Sequence, residues 1–344
     1  MTQLSERQRL ILALVIRDYI ETAQPVGSQR LVDKFGLDFS SATVRNEMVS
    51  LTEAGYLRQP HTSAGREPSE EGYRYFVRQL MGHSDLPSET KRMITHQFYQ
   101  ARQDVDQWMR LAASVLAHQS QAASLVTAPH PEQVHFKHVE LISTLGRQVL
   151  MVLVLSGGEV RQQVLVVAEP VSQEKLSTVA NEINQICQSM GSRALKALSP
   201  QMDALAQDVL KLTLDEMERS SAVLGGEVYR DGLTNVLAEP EFAEMDVARR
   251  ALRVFEERSL LEDLLTRTIL TSSVGGVQVL IGGEGTWEEL RQCSMVLARY
   301  GVPGLATGTL GVLGPIRMPY ARTVSTVRFV AGLLSDLVVE MHGE

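Results

Sequence analysis

The sequence predicts an α+β protein of several domains. It begins with a winged helix-turn-helix, and in its body a mainly helical block interrupts a strand-rich domain. Three observations carry this. The chain has 344 residues, more than one ordinary domain holds. Its first ~80 residues change from helical periodicity to a short hairpin and back. Farther on, three strand-like runs and a helix end near residue 191, helical patterning follows over 199–272, and strands resume at Gly276, the pattern of one α+β domain with another inserted in it.

Taken in order, Ser5 and Gln8 form a capping box for an apolar-rich helix over Glu6–Thr22. Pro25 and Gly27 break it. Ser28 reads as the N-cap of a short second helix with Leu31, Val32 and Phe35 on one side, and Gly36 as its left-handed stop. The pair Ser40–Ser41 caps a third helix, Ala42–Ala54, whose inward face is Val44, Met48 and Leu51. Tyr56–Pro60 is extended, His61–Arg66 is a small polar turn, and Pro68 closes the unit. A further helix starts near Ser69–Gly72 and carries Tyr73, Phe76, Val77 and Leu80 inward. Residues 1–81 are thus a winged helix-turn-helix.

Residues 82–125 hold a linker and one long helix, Glu89–Gln119. Ile94, Phe98, Ala101, Val105, Trp108, Ala112 and Val115 recur at alternating steps of 4 and 3, an a/d stripe. That stripe either packs on its own body or meets a second subunit. Residues 126–194 carry three strands, His135–Ser143, Arg147–Leu155 and Val160–Ala168, as an antiparallel meander, then a helix over Glu174–Met190 stopped by Gly191. Residues 195–272 read as a helical insert. In 273–344, strands at Gly276–Gly282, Ser294–Tyr300 and Thr309–Pro315 precede a helix over Tyr320–Met341.

The chain is 44% hydrophobic and 22% charged, so it builds cores rather than staying disordered. Its net charge is −8, yet residues 1–82 hold ten Lys+Arg against ten Asp+Glu. A neutral block on an acidic body permits a local anion-binding face there and argues against a protein coated in nucleic acid. Cys187 and Cys293 lie 106 positions apart, which gives neither a disulfide framework nor zinc spacing and suits a reducing cytosol. The apolar run Leu10–Ile16 falls far short of the about 20 residues a membrane span needs, and its flanks do not resemble a signal peptide.

The chemistry concentrates in the third helix. With Val44, Met48 and Leu51 inward, Thr43, Arg45, Asn46 and Ser50 face outward. In a helix-turn-helix, the start of this helix approaches base edges in the major groove. Arg holds guanine O6 and N7 together, and Asn holds adenine N6 and N7. Ser40, Ser41 and Thr43 suit phosphate oxygens, helped by free amides at the helix start. Ser28 and Gln29 join them as candidate DNA contacts. The hairpin tip, with His61, Thr62, Ser63 and Arg66, can lie along a backbone or in a minor groove.

Elsewhere, signs of catalysis or cofactor chemistry fail. His135 and His138 point to opposite faces of a strand, so a shared metal is not expected. No Gly-x-Ser-x-Gly elbow occurs. Gly282–Thr286 lacks the Gly-Lys-Ser/Thr of a phosphate loop. Gly308, Gly311 and Gly314 serve turns or close packing, and Cys293 is a buried small residue. The sequence predicts no enzyme, cofactor or metal.

Several strings carry a family resemblance: Pro-Val-Gly-Ser (25–28), Ser-Ser-Ala-Thr-Val-Arg-Asn-Glu-Met (40–48), Gln-Pro-His-Thr-Ser-Ala-Gly-Arg (59–66) and Gly-Tyr-Arg-Tyr-Phe-Val (72–77). So do Cys-Ser-Met-Val (293–296), Gly-Thr-Leu-Gly-Val-Leu-Gly-Pro-Ile-Arg-Met (308–318) and Tyr-Ala-Arg (320–322). Together they resemble the heat-inducible transcription repressors of the HrcA family over essentially the whole chain. The resemblance implies a bacterial, cytoplasmic repressor of chaperone operons of the groE and dnaK type. It implies a homodimer that binds the CIRCE inverted repeat in double-stranded DNA, nucleoid-associated when bound, with the chaperonin GroE as the partner that keeps it active. It also implies a GAF-like domain over 126–194 and 273–344 with a dimerising domain, 195–272, inserted. GAF-like domains often hold ligands, so a winged-helix regulator sensing a small effector is the alternative. Glu67 departs from the family pattern, which has an aliphatic residue there, and would set an acid beside DNA phosphates. Few aromatics, glycine-rich turns and an insert predict a marginally stable body, so heat would act through the folded fraction.

Overall fold

The computed structural model describes residues 4–61, 64–82, 85–101, 104–131, 134–156, 159–221, 226–243, 245–269 and 273–342. Helix α1 (Glu6–Thr22) opens on the expected capping box, with Ser5 Oγ accepting from the Gln8 amide and Gln8 Oε1 from the Ser5 amide. Helix α2 (Ser28–Phe35) differs at its start. Gly27 holds the cap position, so Ser28 is the first helical residue and not the cap. Gly36 ends α2 at φ 61°, where a Cβ would be strained. Helix α3 (Ser41–Glu53) is capped by Ser40 alone, which accepts from the Thr43 amide at 3.1 Å. Strands β1 (Leu57–Arg58) and β2 (Glu67–Pro68) pair antiparallel as the wing. Helix α4 (Glu70–Tyr75) runs on into a wider turn at Phe76–Leu80. Leu12, Ile16, Leu31, Val44, Met48, Leu51 and Tyr73 are buried.

One long helix does not follow. Instead α5 (Ser88–Gln100) and α6 (Val105–Ser120) are separate, and Ala101 is extended at ψ 136°. Ile94, Phe98, Trp108, Ala112 and Val115 are all buried within this chain. The 4,3 spacing runs across the break because both helices turn an apolar face inward. Strand β3 (Ala123–Thr127) follows, buried along its length.

Two compact units divide the chain. One takes Met1–Val126, Tyr229–Tyr300 and Thr309–Leu337, and the other Thr127–Val228, Gly301–Gly308 and Val338–Glu344. The segment that separates out is therefore centred on 127–228, not on 195–272, and the boundaries at 194 and 272 do not coincide with it. In this second unit β4 (Phe136–Ser143), β5 (Gln148–Leu155) and β6 (Val160–Val166) form the expected antiparallel meander. Helices α7 (Gln173–Cys187), α8 (Ser192–Leu198) and α9 (Ala204–Ser221) follow. Phe136, Val139, Leu141, Met151 and Leu153 share one core with Leu176, Ile183, Val209, Leu210 and Met217. The period-two pattern of β5 and the amphipathic pattern of α9 thus find each other across the expected boundary at 195, because each buries its apolar side on the other.

The rest of the helical stretch returns to the first unit. It comprises β7 (Val228–Asp231), α10 (Leu233–Leu237), α11 (Met245–Glu256) and α12 (Arg258–Ile269). Then come β8 (Val277–Ile281), β9 (Cys293–Val302), β10 (Ala306–Pro315) and α13 (Tyr320–His342). Five strands pair in the order β7-β3-β10-β9-β8, so an N-terminal strand lies between strands from the far side of the insert. Gly311 on β10 serves close packing, since a Cβ there would stand 2.6 Å from the Val296 carbonyl oxygen. No described helix is long and apolar enough to cross a membrane.

Candidate nucleic-acid interface

The face that α3 leaves uncovered is set by helical geometry. With Val44, Met48 and Leu51 buried, the exposed positions are Ala42, Arg45, Asn46, Val49, Ser50 and Glu53, a stripe along one side of a 3.6-residue helix. Arg45 and Asn46, the two expected base readers, stand together on it. Neither side chain has a hydrogen-bond or ion-pair partner among the described residues.

Other charges of the block are mostly spent internally. Asp18 is fully buried and binds Arg30 Nε at 2.8 Å and Lys34 Nζ at 2.7 Å, tying α1 to α2. Glu47 faces Arg7 at 3.5 Å, and Arg74 joins Glu70 at 2.9 Å and Glu71 at 2.8 Å. The exposed Arg45 guanidinium therefore presents its charge to solvent without a carboxylate to offset it.

Remaining expected contacts divide. Ser40 Oγ and Thr43 Oγ1 lie 2.9 Å apart, so these hydroxyls first serve the cap. Ser41 and Ser28 are half-buried first residues of their helices. Ser50 Oγ donates to the Asn46 carbonyl oxygen at 3.3 Å, and Gln29 Nε2 donates to Asp33 Oδ1 at 2.8 Å. His61 is exposed at the wing tip, and its carbonyl accepts from the Ala64 amide at 2.9 Å. Thr62 and Ser63 lie outside the described residues.

Arg66 is placed differently from expectation. Its Nε donates to Thr52 Oγ1 at 3.0 Å, and its backbone exchanges two hydrogen bonds with Val26. Half-buried at the root of the wing, it pins the wing to α3 and to the turn before α2. Gly65 makes that approach possible, because a Cβ there would lie 2.4 Å from the Val26 carbonyl oxygen. Glu67 likewise turns inward. It pairs with Arg58 Nε at 2.7 Å, accepts from the Tyr19 hydroxyl at 3.2 Å and is only 12% exposed. Burial, then the Glu67 charge, pushes the Tyr19 phenol up to about 12.

Sequence reasoning missed three features. Asp18 falls three and four residues after the buried Val15 and Leu14, so a carboxylate on an apolar face was the available signal. Ala42 and Val49 were passed over because apolar side chains do not announce DNA contact, although they follow the same spacing as Arg45 and Asn46.

Burial pushes the Cys293 thiol up to about 12 and raises that of Cys187 as well. His138 pairs with Glu140 at 2.7 Å, and among the described residues no group of three or more His, Cys, Asp or Glu could hold a metal. Gly282 packs on Glu70, whose carboxylate would lie 2.5 Å from an added Cβ. A carboxylate in that place does not make a phosphate cradle.

A family model described as the HrcA protein C terminal domain matches residues 106–324. The chain belongs to the HrcA family. The heat-inducible transcription repressor HrcA of Roseiflexus castenholzii is 44% identical over 350 residues, covering 99% of this chain and 96% of that protein. The HrcA repressor of Herpetosiphon aurantiacus is 42% identical over 349 residues, covering 99% and 97%. HrcA proteins are named as transcription repressors, a regulatory and non-enzymatic role. A crystal structure of a protein described only as hypothetical shares the fold, with a TM-score of 0.58 at 21% identity over 98% of this chain and 99% of that one.

Proposed function

We propose that this HrcA-family repressor reads operator DNA with the exposed face of α3, placing Arg45 and Asn46 on base edges. The observation that carries the reading is the pair itself, exposed on a Ser40-capped helix and without intramolecular partners among the described residues. Ser40, Ser41, Thr43, Ser28, Gln29 and Ser50 surround it as phosphate contacts, with His61 of the wing and its sequence neighbours Thr62 and Ser63 as further candidates. Arg66 acts from the wing root as a positioning residue.

One recognition helix reads too few base pairs to choose a genomic site, so two symmetric copies read an inverted repeat of the CIRCE type upstream of chaperone operons. The outer face of the β4-β5-β6 sheet is the surface that a second copy covers. There Ile142, Val160, Val164 and Val166 are 43%, 54%, 55% and 62% exposed, and Ile142, Leu150 and Val164 stand in register. An antiparallel sheet with a free face ordinarily turns polar residues outward. The repressor acts in the cytoplasm, at the nucleoid when bound. Heat lowers its folded fraction, and GroE restores it as chaperonin becomes free.

Alanine at Arg45 or Asn46 is expected to weaken binding to a CIRCE-type inverted repeat by about 1–3 kcal/mol while binding to random duplex barely changes. Equal losses on both DNAs would make the two residues phosphate anchors. The folding-state mechanism is checked by operator binding at rising temperature with and without GroE and ATP. Loss that GroE cannot restore points to a small effector in the body instead.

A further inference from the structure

The reading face of α3 includes a side chain that can neither donate nor accept a hydrogen bond. Val49 is 36% exposed and follows Arg45 by four positions and Asn46 by three. Single exposed apolar residues are ordinary on a protein surface. What sets Val49 apart is its place on the stripe that carries both expected base readers. The packing of α3 is supplied by Val44, Met48 and Leu51 on the opposite side. Helix formation does not call for valine there either, since a β-branched side chain loses rotamer freedom in a helix.

Four residues of helix advance about 6 Å at 1.5 Å per residue, less than two base-pair steps of about 3.4 Å. A group at Val49 therefore meets the major groove within two base pairs of the one at Arg45. Of the four bases, thymine alone offers an apolar group on that edge, its C5 methyl. We propose that Val49 is a specificity-determining residue that packs on a thymine methyl in each half-site, within two base pairs of the base Arg45 holds. This rests on the assignment of α3 as the reading helix. The contact adds what Arg45 and Asn46 cannot supply, a preference for thymine made by excluding water rather than by hydrogen bonding. Covering one methyl group corresponds to a preference of about fourfold.

The test uses the full chain and a duplex it selects from a randomised library. Each thymine is replaced in turn by uracil, which removes the methyl and keeps every hydrogen-bonding group. For the unsubstituted protein, one thymine per half-site is expected to lose about fourfold in affinity on this change. V49A is expected to bind the thymine duplex about fourfold more weakly than the parent and to be indifferent to uracil at that position. The variant should fold, since Val49 is exposed and Ala favours helix, and circular dichroism checks that. Uracil effects of equal size in both proteins, or none in either, would overturn the methyl contact and leave the role of Arg45 standing. A selection that recovers no preferred sequence would overturn both.

Discussion

The exposed face of α3 and the outer face of the β4-β5-β6 sheet are both left uncovered by this chain, and they are built in opposite ways. On α3 the stripe is led by Arg45 and Asn46, groups whose hydrogen bonds have fixed geometry and which no neighbour among the described residues engages. On the sheet, outward positions include Ile142, Val160, Val164 and Val166, groups that gain only by leaving water, beside Gln148, Gln162 and the His138–Glu140 pair. A directional surface discriminates between partners but loses little by staying hydrated. An apolar one discriminates poorly yet gains from any large surface that covers it. The contrast supports the proposal that the helix chooses the site and the sheet assembles two copies.

Substitutions can break or sharpen that contrast. The largest effect is expected beneath the sheet. Phe136 is 1% exposed in the core of the second unit, and Phe136→Ala should destabilise that unit by about 4 kcal/mol. Hydrogen exchange should then show faster opening of β4, β5 and β6 while the amides of α3 keep their protection. Equal acceleration in α3 would mean that the two faces do not rest on separate cores. A smaller effect should follow on the face itself. Val164→Glu should raise the dissociation constant of the proposed dimer roughly thirtyfold, about 2 kcal/mol, by burying an unpaired charge at the contact. Sedimentation equilibrium reads this directly, and an unchanged dimer would remove the sheet from the interface. The smallest effect belongs to the helix start. Ser40→Ala removes the cap that accepts from the Thr43 amide and should cost about 1 kcal/mol of local stability. It should weaken specific and random DNA alike, unlike alanine at Arg45.

The elements of the winged helix were readable because their signals are short-range. Ser5 and Gln8 meet three residues apart, Gly36 needs only its own φ, and Val44, Met48 and Leu51 describe one side of α3 by spacing alone. Arg45 and Asn46 could be placed outward for the same reason. The wing was less readable. Arg66 and Glu67 look like groups for phosphate and solvent, but Thr52, Arg58 and Tyr19, all distant in sequence, draw them inward.

By itself, then, the sequence determined the first and third helices, their Ser5 and Ser40 caps, the meander and the face that α3 shows, since each depends on neighbours within a turn or a hairpin. Only the tertiary structure decided that the 4,3 stripe belongs to two helices, and that β5 and α9 share a core across the expected boundary at 195. It also decided that β3 pairs with β10, Val126 opposite Leu310. Apolar burial has no direction and no memory of chain distance. A periodic apolar side states that it will be covered, and only the assembled fold names the residue that covers it.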